Sequence, residues 1–142
     1  INELFSYSPN MQQNSLDIPN AKLDNKSREQ EIADLALFLE SWKLSWENKD
    51  LVNYFSSYSK YFKVKSGLNY DQWKKTRTKK IVNKKSIYIE LSNIKYNFND
   101  GFWFINMSQA YNSGNYSDKE QKTLIIIDER GKYKIIEENT KN

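Results

Sequence analysis

Hydrophobic positions along this chain follow one period before Ser86 and another after it. In the first half, Ile32, Leu35, Ala36, Leu39, Trp42 and Trp46 recur at three- and four-residue spacing. That spacing predicts a helix of about five turns with one apolar stripe, which Phe38 and Leu37 widen. Ser27 followed by Gln30 is a capping-box pair, and Glu29, Glu31 and Asp34 suit the positive end of a helix dipole, so the helix starts at about Arg28. Asn48-Lys49-Asp50 breaks the stripe, and Asp50 can cap a second, shorter helix carrying Leu51, Tyr54, Phe55 and Tyr58. Residues 61–64 read as a short edge strand, and Gly67 marks a turn. Asn69 or Asp71 then opens a third helix, with Trp73, Arg77, Ile81 and Val82 at its apolar or half-buried positions.

After Ser86 the period is two. Ile87, Ile89 and Leu91 alternate, Ser92-Asn93 reads as a bulge, and Ile94, Tyr96 and Phe98 resume the alternation. Asn99-Asp100-Gly101 is a hairpin signal, because Asp-Gly tolerates the positive φ of a tight turn. Trp103, Ile105, Met107, Gln109 and Tyr111 share one face of the next strand, and Phe102, Phe104, Asn106, Ser108 and Ala110 share the other. Residues 124–127 are apolar at both parities, as a central strand requires, and Glu129-Arg130-Gly131 turns the chain into a last strand over 133–137. Between the two middle strands lies a polar stretch, residues 109–122, read as a hinge turning through Ser113-Gly114-Asn115.

Three helices followed by an antiparallel meander predict an α+β domain with its helices on one face of one sheet. Trp42, Trp46, Phe55 and Leu124 are the expected core. Residues 1–26 hold both prolines and no sustained periodicity, so they are expected to form a tail or interdomain linker, with residues 27–142 as the domain. A chain of 142 residues suffices for one core and not for two. It starts at Ile1, without the charged and apolar regions of a leader, so any signal peptide or upstream domain is expected to have been removed.

Composition narrows the chemistry. The chain has no cysteine and no histidine, which excludes disulfides, thiolate nucleophiles, Cys/His zinc sites and every Ser-His or Cys-His pair from it. Neither a cofactor nor a metal site is expected. The net charge of +4 is unevenly spread: residues 60–95 carry eleven Lys or Arg against two acids. That run suits either a solvated helix face or an anion-binding surface. Nucleic acid is the less suitable anion, because the aromatics near the lysines occupy apolar-face positions and do not interleave with the cations. Arg77 stands apart from its neighbours, one turn from both Trp73 and Ile81, and is the cation expected at a pocket.

Several residues in order carry a family pattern: Trp42, Trp46-Glu47, Asp50, Tyr54 and Tyr58; Trp73, Arg77 and Ile81; Tyr111, Ser113, Tyr116-Ser117-Asp118 and Lys122-Thr123-Leu124; then Gly131-Lys132-Tyr133-Lys134-Ile135 and Glu138. Over residues 31–138 the chain resembles the accessory domain that accompanies bacterial L,D-transpeptidases and related peptidoglycan carboxypeptidases, a member of the nuclear transport factor 2-like superfamily. Tyr133 stands where the pattern has tryptophan, a conservative departure. The resemblance implies a nuclear transport factor 2-like (cystatin-like) cone, in which a strongly bent antiparallel sheet wraps the long first helix and leaves a pocket. It also implies an exported, periplasmic or envelope setting. The transpeptidase reaction itself needs a cysteine and a histidine, so the resemblance implies the non-catalytic module.

In such a cone the open end lies between the first helix and the hinge after Tyr111. Trp46, Trp73, Arg77, Tyr111, Tyr116, Asp118 and Lys122 are then the expected lining. Aromatics offer faces to sugar or peptide, while Arg77 and Lys122 offer charge to an anion. The same residues also suit a plain turn, with Asp118 stabilising it and Lys122 as its counter-ion. Glu47, Asp50, Asp118, Glu137 and Glu138 contain the material for an acid–base pair, so a stand-alone carrier or small enzyme is the alternative reading. Apolar residues at both parities of the middle strands predict a homodimer through the outer face of the sheet. A peptidoglycan fragment or an envelope protein is the other expected partner.

Overall fold

A computed structural model describes residues 26–141. Helix α1, Arg28–Glu47, begins at a complete capping box: the Ser27 hydroxyl accepts from the Gln30 amide, and the Gln30 side chain accepts from the Ser27 amide. Its stripe of Leu35, Leu39, Trp42 and Trp46 is buried. Leu37 does not widen that stripe and is 70% exposed, because two residues of helix turn it about 200° from Leu35. Phe38 does widen it, edge-on to Tyr133 at 6.4 Å. Asn48 caps the end, with Lys49 in the left-handed region at φ 58°.

Helix α2, Leu51–Ser56, is capped by Asp50, whose side chain accepts from the Asn53 amide. It stops before Tyr58. That residue instead forms a parallel bridge to Ile135, flanked by backbone bonds Ser59 N–H to Ile135 O, Ile135 N–H to Ser57 O and Lys63 N–H to Ile136 O. The edge strand expected over 61–64 is therefore absent; after a turn closed by Phe62 N–H to Ser59 O, the segment docks on the sheet through single bonds. Helix α3, Tyr70–Val82, starts at a second capping box of Asn69 and Gln72 and buries Ile81, while Val82 faces outward.

Strands β1 (Tyr88–Asn99), β2 (Phe102–Ser113), β3 (Tyr116–Glu129) and β4 (Lys132–Lys141) form one antiparallel sheet in sequence order. Asp100-Gly101 and Arg130-Gly131 make tight turns with both residues at positive φ, whereas at the β2–β3 turn Gly114 takes positive φ and Asn115 does not. The register slips at Ser92/Lys95, where Asn93 takes φ 51°, and again at Ile125/Ile126. Bulges sharpen local twist and bend, and here the sheet curls around α1. Trp103, Ile105, Met107, Leu124, Ile126 and Ile135 line its inner face and meet Leu35, Leu39 and Trp42. Glu47 ties the far end of α1 to β1 by accepting from the Ile89 amide at 2.7 Å. The expected core residues Trp42, Trp46, Phe55 and Leu124 are all buried. Residues 1–25, expected as a tail, lie outside the described residues.

The polar hinge is not a loop. Strands β2 and β3 stay paired to Ser113↔Tyr116, so residues 109–122 are strand on both sides of a two-residue turn. Pairing fixes where each side chain goes. Gln109 faces Glu120, Tyr111 faces Asp118 and Met107 faces Lys122, all with the inward parity of Ile105 and Leu124.

Candidate functional site

The paired ends of β2 and β3 project beyond the apolar core and, with α1 and α3, enclose a cavity of about 490 Å³. Trp46, Arg77, Tyr111, Tyr116, Asp118 and Lys122 line it, together with Lys80, Ile81, Lys84, Gln109, Glu120, Glu138 and Thr140. Six of the seven residues expected from the sequence thus share one cavity. Trp73 does not join them. It packs among Phe55, Tyr58, Phe62 and Tyr70 at centroid distances of 4.7–5.6 Å, because its position on α3 faces α2 and the 59–62 turn.

The floor of the cavity is a buried polar network. Lys122 is 4% exposed and donates to Glu138 Oε2 at 2.6 Å, with its ammonium 5.6 and 5.4 Å from the rings of Trp42 and Trp46. It is therefore the partner of Glu138 and not a counter-ion for Asp118. Tyr58 donates to the other oxygen of Glu138 at 2.9 Å and accepts from Trp42 Nε1 at 3.2 Å. Tyr54 shares a hydroxyl contact of 3.2 Å with Tyr58, and Arg77 donates to the Tyr54 oxygen at 3.0 Å. Trp42, Tyr54, Tyr58, Arg77, Lys122 and Glu138 thus each have a hydrogen-bond partner within this network, as burial demands.

Charge follows from these contacts. Burial alone would raise the Glu138 carboxyl, but Lys122, Arg77 and Tyr58 outweigh it and hold it below the ordinary carboxylate range. Burial, then the fields of Glu138 and Tyr54, push the Tyr58 hydroxyl well above the phenol range, which keeps it a donor. Burial opposes the Arg77 charge, yet Tyr54, Tyr58 and Glu138 reinforce it, so the guanidinium stays protonated. Glu120 is pushed upward by burial, with Lys122 opposing and Asp118 and Glu138 adding to the shift.

Aromatic faces build the wall. Tyr111 lies 5.7 Å from Trp46 and 6.0 Å from Tyr116, and Lys84 reaches over Tyr116 at the mouth. Asp118 is exposed there, and its carboxylate makes no hydrogen bond or ion pair among the described residues. Four cations and three carboxylates line the cavity, and no group of three or more His, Cys, Asp or Glu among the described residues is placed to hold a metal.

Sequence reasoning missed Gln109, Glu120 and Glu138 as lining residues. The first two were readable by alternation, since they share the parity of Ile105 and Leu124. Glu138 was not: it points inward with Ile135, three residues away, only because the bulge at Ile125/Ile126 resets the phase.

The profile of the Cds6 C-terminal NTF2-like domain family matches residues 34–139. The chain belongs to that family. Among solved structures it is similar to Bd1075 of Bdellovibrio bacteriovorus, at 28% identity and TM-score 0.72 over 80% of this chain and 41% of that one. It is likewise similar to Pgp2, the helical cell shape determining protein of Campylobacter jejuni, at 27% identity and TM-score 0.68 over 80% of this chain and 42% of that one. This chain thus matches about two fifths of the length of each. An NTF2-like protein of unknown function from Pseudomonas putida KT2440 shares 9% identity at TM-score 0.66, over 76% of this chain and 83% of that one, which shows the common fold alone. No curated protein sequence matches the chain.

Proposed function

We propose that this domain is a non-catalytic binding module of the bacterial cell envelope, working beside peptidoglycan-remodelling activity of the L,D-transpeptidase kind. The observation that carries the reading is the cavity: an aromatic wall of Trp46, Tyr111 and Tyr116 around a floor that holds Arg77 protonated. A glycan strand with its stem peptide offers the matching chemistry, sugar and methyl faces for the rings and carboxylates for the cation. Similarity to a protein that determines cell shape supports the setting, because the wall sets bacterial shape. The periplasm is the corresponding location. Titration of purified muropeptides into the wild type should show saturable binding that Arg77→Ala and Tyr116→Ala each weaken by about 10-fold, the size expected of one lost charged or aromatic contact. Mass analysis of the same mixtures should show no turnover; cleavage or cross-linking by the pure protein would overturn the non-catalytic reading.

Self-association is the second part of the proposal. Tyr61, Phe102, Phe104, Ile125 and Ile136 form an apolar depression on the outer face of the sheet, and Tyr61 and Phe102 are 69% and 37% exposed. A second copy covering this face is the occupant that its apolar character favours. Light scattering at high micromolar concentration should report a dimer, with Phe104→Lys shifting it to monomer; a monomer throughout would remove the dimer from the reading.

A further inference from the structure

Among the described residues, the floor of the cavity contains one cation without an ion pair and one side-chain amide oxygen without a hydrogen bond. Lys122 is neutralised by Glu138, but Arg77 has no carboxylate within ion-pair distance among the described residues. Among the described residues the Arg77 side chain hydrogen-bonds the neutral Tyr54 hydroxyl alone, and its guanidinium lies 5.4 Å from the Trp46 ring. Gln109 is 3% exposed and lines the same cavity, and among the described residues its carboxamide oxygen is buried without a partner. Buried polar groups are rarely left so, and a site whose own groups are unpaired is one that a ligand completes.

Shape and chemistry of the unmatched pair define what completes them. A guanidinium presents a fork of N–H donors that matches a carboxylate. A carboxamide offers both an N–H and a carbonyl, the complement of a peptide group. Sugar hydroxyls do not supply the full negative charge that Arg77 lacks. We infer that the Arg77 and Gln109 floor is a seat for the free C-terminus of a peptide, its carboxylate on Arg77 and its last peptide group on Gln109. This rests on the binding-module reading above and narrows it: the cavity selects uncapped stem-peptide ends, and the glycan contributes only at the Tyr111 and Tyr116 wall. Lys80 and Lys84 at the mouth draw the anion in without selecting its geometry.

The test uses N-acetylated alanyl-alanine in both chiral forms, the same dipeptides with an amidated C-terminus, and a peptide-free wall disaccharide, each titrated into the protein by NMR. The free acid of one hand should bind at least about 10-fold more tightly than its amide, the loss expected for one charge-assisted contact. Arg77→Gln should erase that preference, and Arg77→Lys should restore part of it. Gln109→Leu should weaken acid and amide alike, because it removes a contact common to both. Thermal unfolding of each variant separates a lost seat from a lost fold. Equal binding of acid and amide, a preference that survives Arg77→Gln, or binding of the disaccharide alone would overturn the seat while muropeptide binding still upheld the module. Failure of intact muropeptides to bind would overturn both.

Discussion

Strands β2 and β3 build both ends of the cone, and the two ends differ completely. At the closed end, Trp103, Ile105, Leu124 and Ile126 point inward and are nearly or fully buried against α1. Four and six residues beyond Ile105 and Leu124 on the same strands, with the same parity, stand Gln109, Tyr111, Asp118 and Glu120, around a cavity. The antiparallel pairing of β2 with β3 runs unbroken through both places. What changes is the cover: α1 ends at Glu47, and the ends of β2 and β3 face α3 across the cavity instead of packing on α1. One pair of strands therefore yields a core where a helix lies on it and a site where the helix runs out, and Met107/Lys122 is the boundary.

Substitutions at either end should separate these roles. The largest effect is expected from Ile105→Ala at the closed end, a fully buried side chain whose removal leaves a cavity costing about 3–4 kcal/mol in denaturant unfolding. A loss below about 1 kcal/mol would mean that the closed end is not the principal core. At the boundary, Lys122→Met leaves Glu138 without its ion partner and should cost about 2–3 kcal/mol, less than a fully sealed pair because Glu138 keeps some solvent access. Lys122→Met combined with Glu138→Gln should recover most of that loss, since no unpaired charge then remains.

The same pair sets an acid limb. Glu138 has its folded pKa depressed below the unfolded carboxylate value of about 4.3, so its stabilisation is fully present above that pH and disappears as pH falls through the lower, folded value. Unfolding free energy measured from about pH 5 downward should fall less steeply in Glu138→Gln than in the wild type. Superimposable slopes would show that the pair contributes nothing. The smallest effect belongs to the open end, where Gln109→Leu removes a buried, unpartnered carbonyl and should leave stability unchanged or raise it by up to about 1 kcal/mol. That a polar-to-apolar change is tolerated at Gln109, while an apolar truncation at Ile105 is not, would express the contrast between the ends most directly.

Much of this was readable from residue order. The capping boxes at Ser27 and Asn69, the Asp50 cap, the Asp-Gly turn and the Asn93 bulge are local chemistry, and each lies where its residues put it. Reading failed where the outcome depended on a neighbour. Residues 61–64 have strand-like side chains but, among the described residues, hydrogen-bond β4 only through Lys63 N–H to Ile136 O, and Trp73 was drawn to the aromatic cluster under α2 and not to the cavity. Lys122 looked like a surface counter-ion because a lysine beside a turn usually is one; pairing with Met107 placed it in the interior.

The sequence by itself determined the three helices, the alternation along β1 and β2 and the nuclear transport factor 2-like fold, because all three are written in short-range spacing and in the order of particular side chains. Only the tertiary structure decided that Glu138, Lys122, Arg77 and Gln109 meet. These cavity-lining residues lie up to 61 positions apart in the chain, from Arg77 to Glu138, and their meeting depends on a bulge that shifts the phase of β4 and on the point where α1 stops. Neither quantity leaves a periodic trace in the chain, since both are set by how the curled sheet closes over the helix.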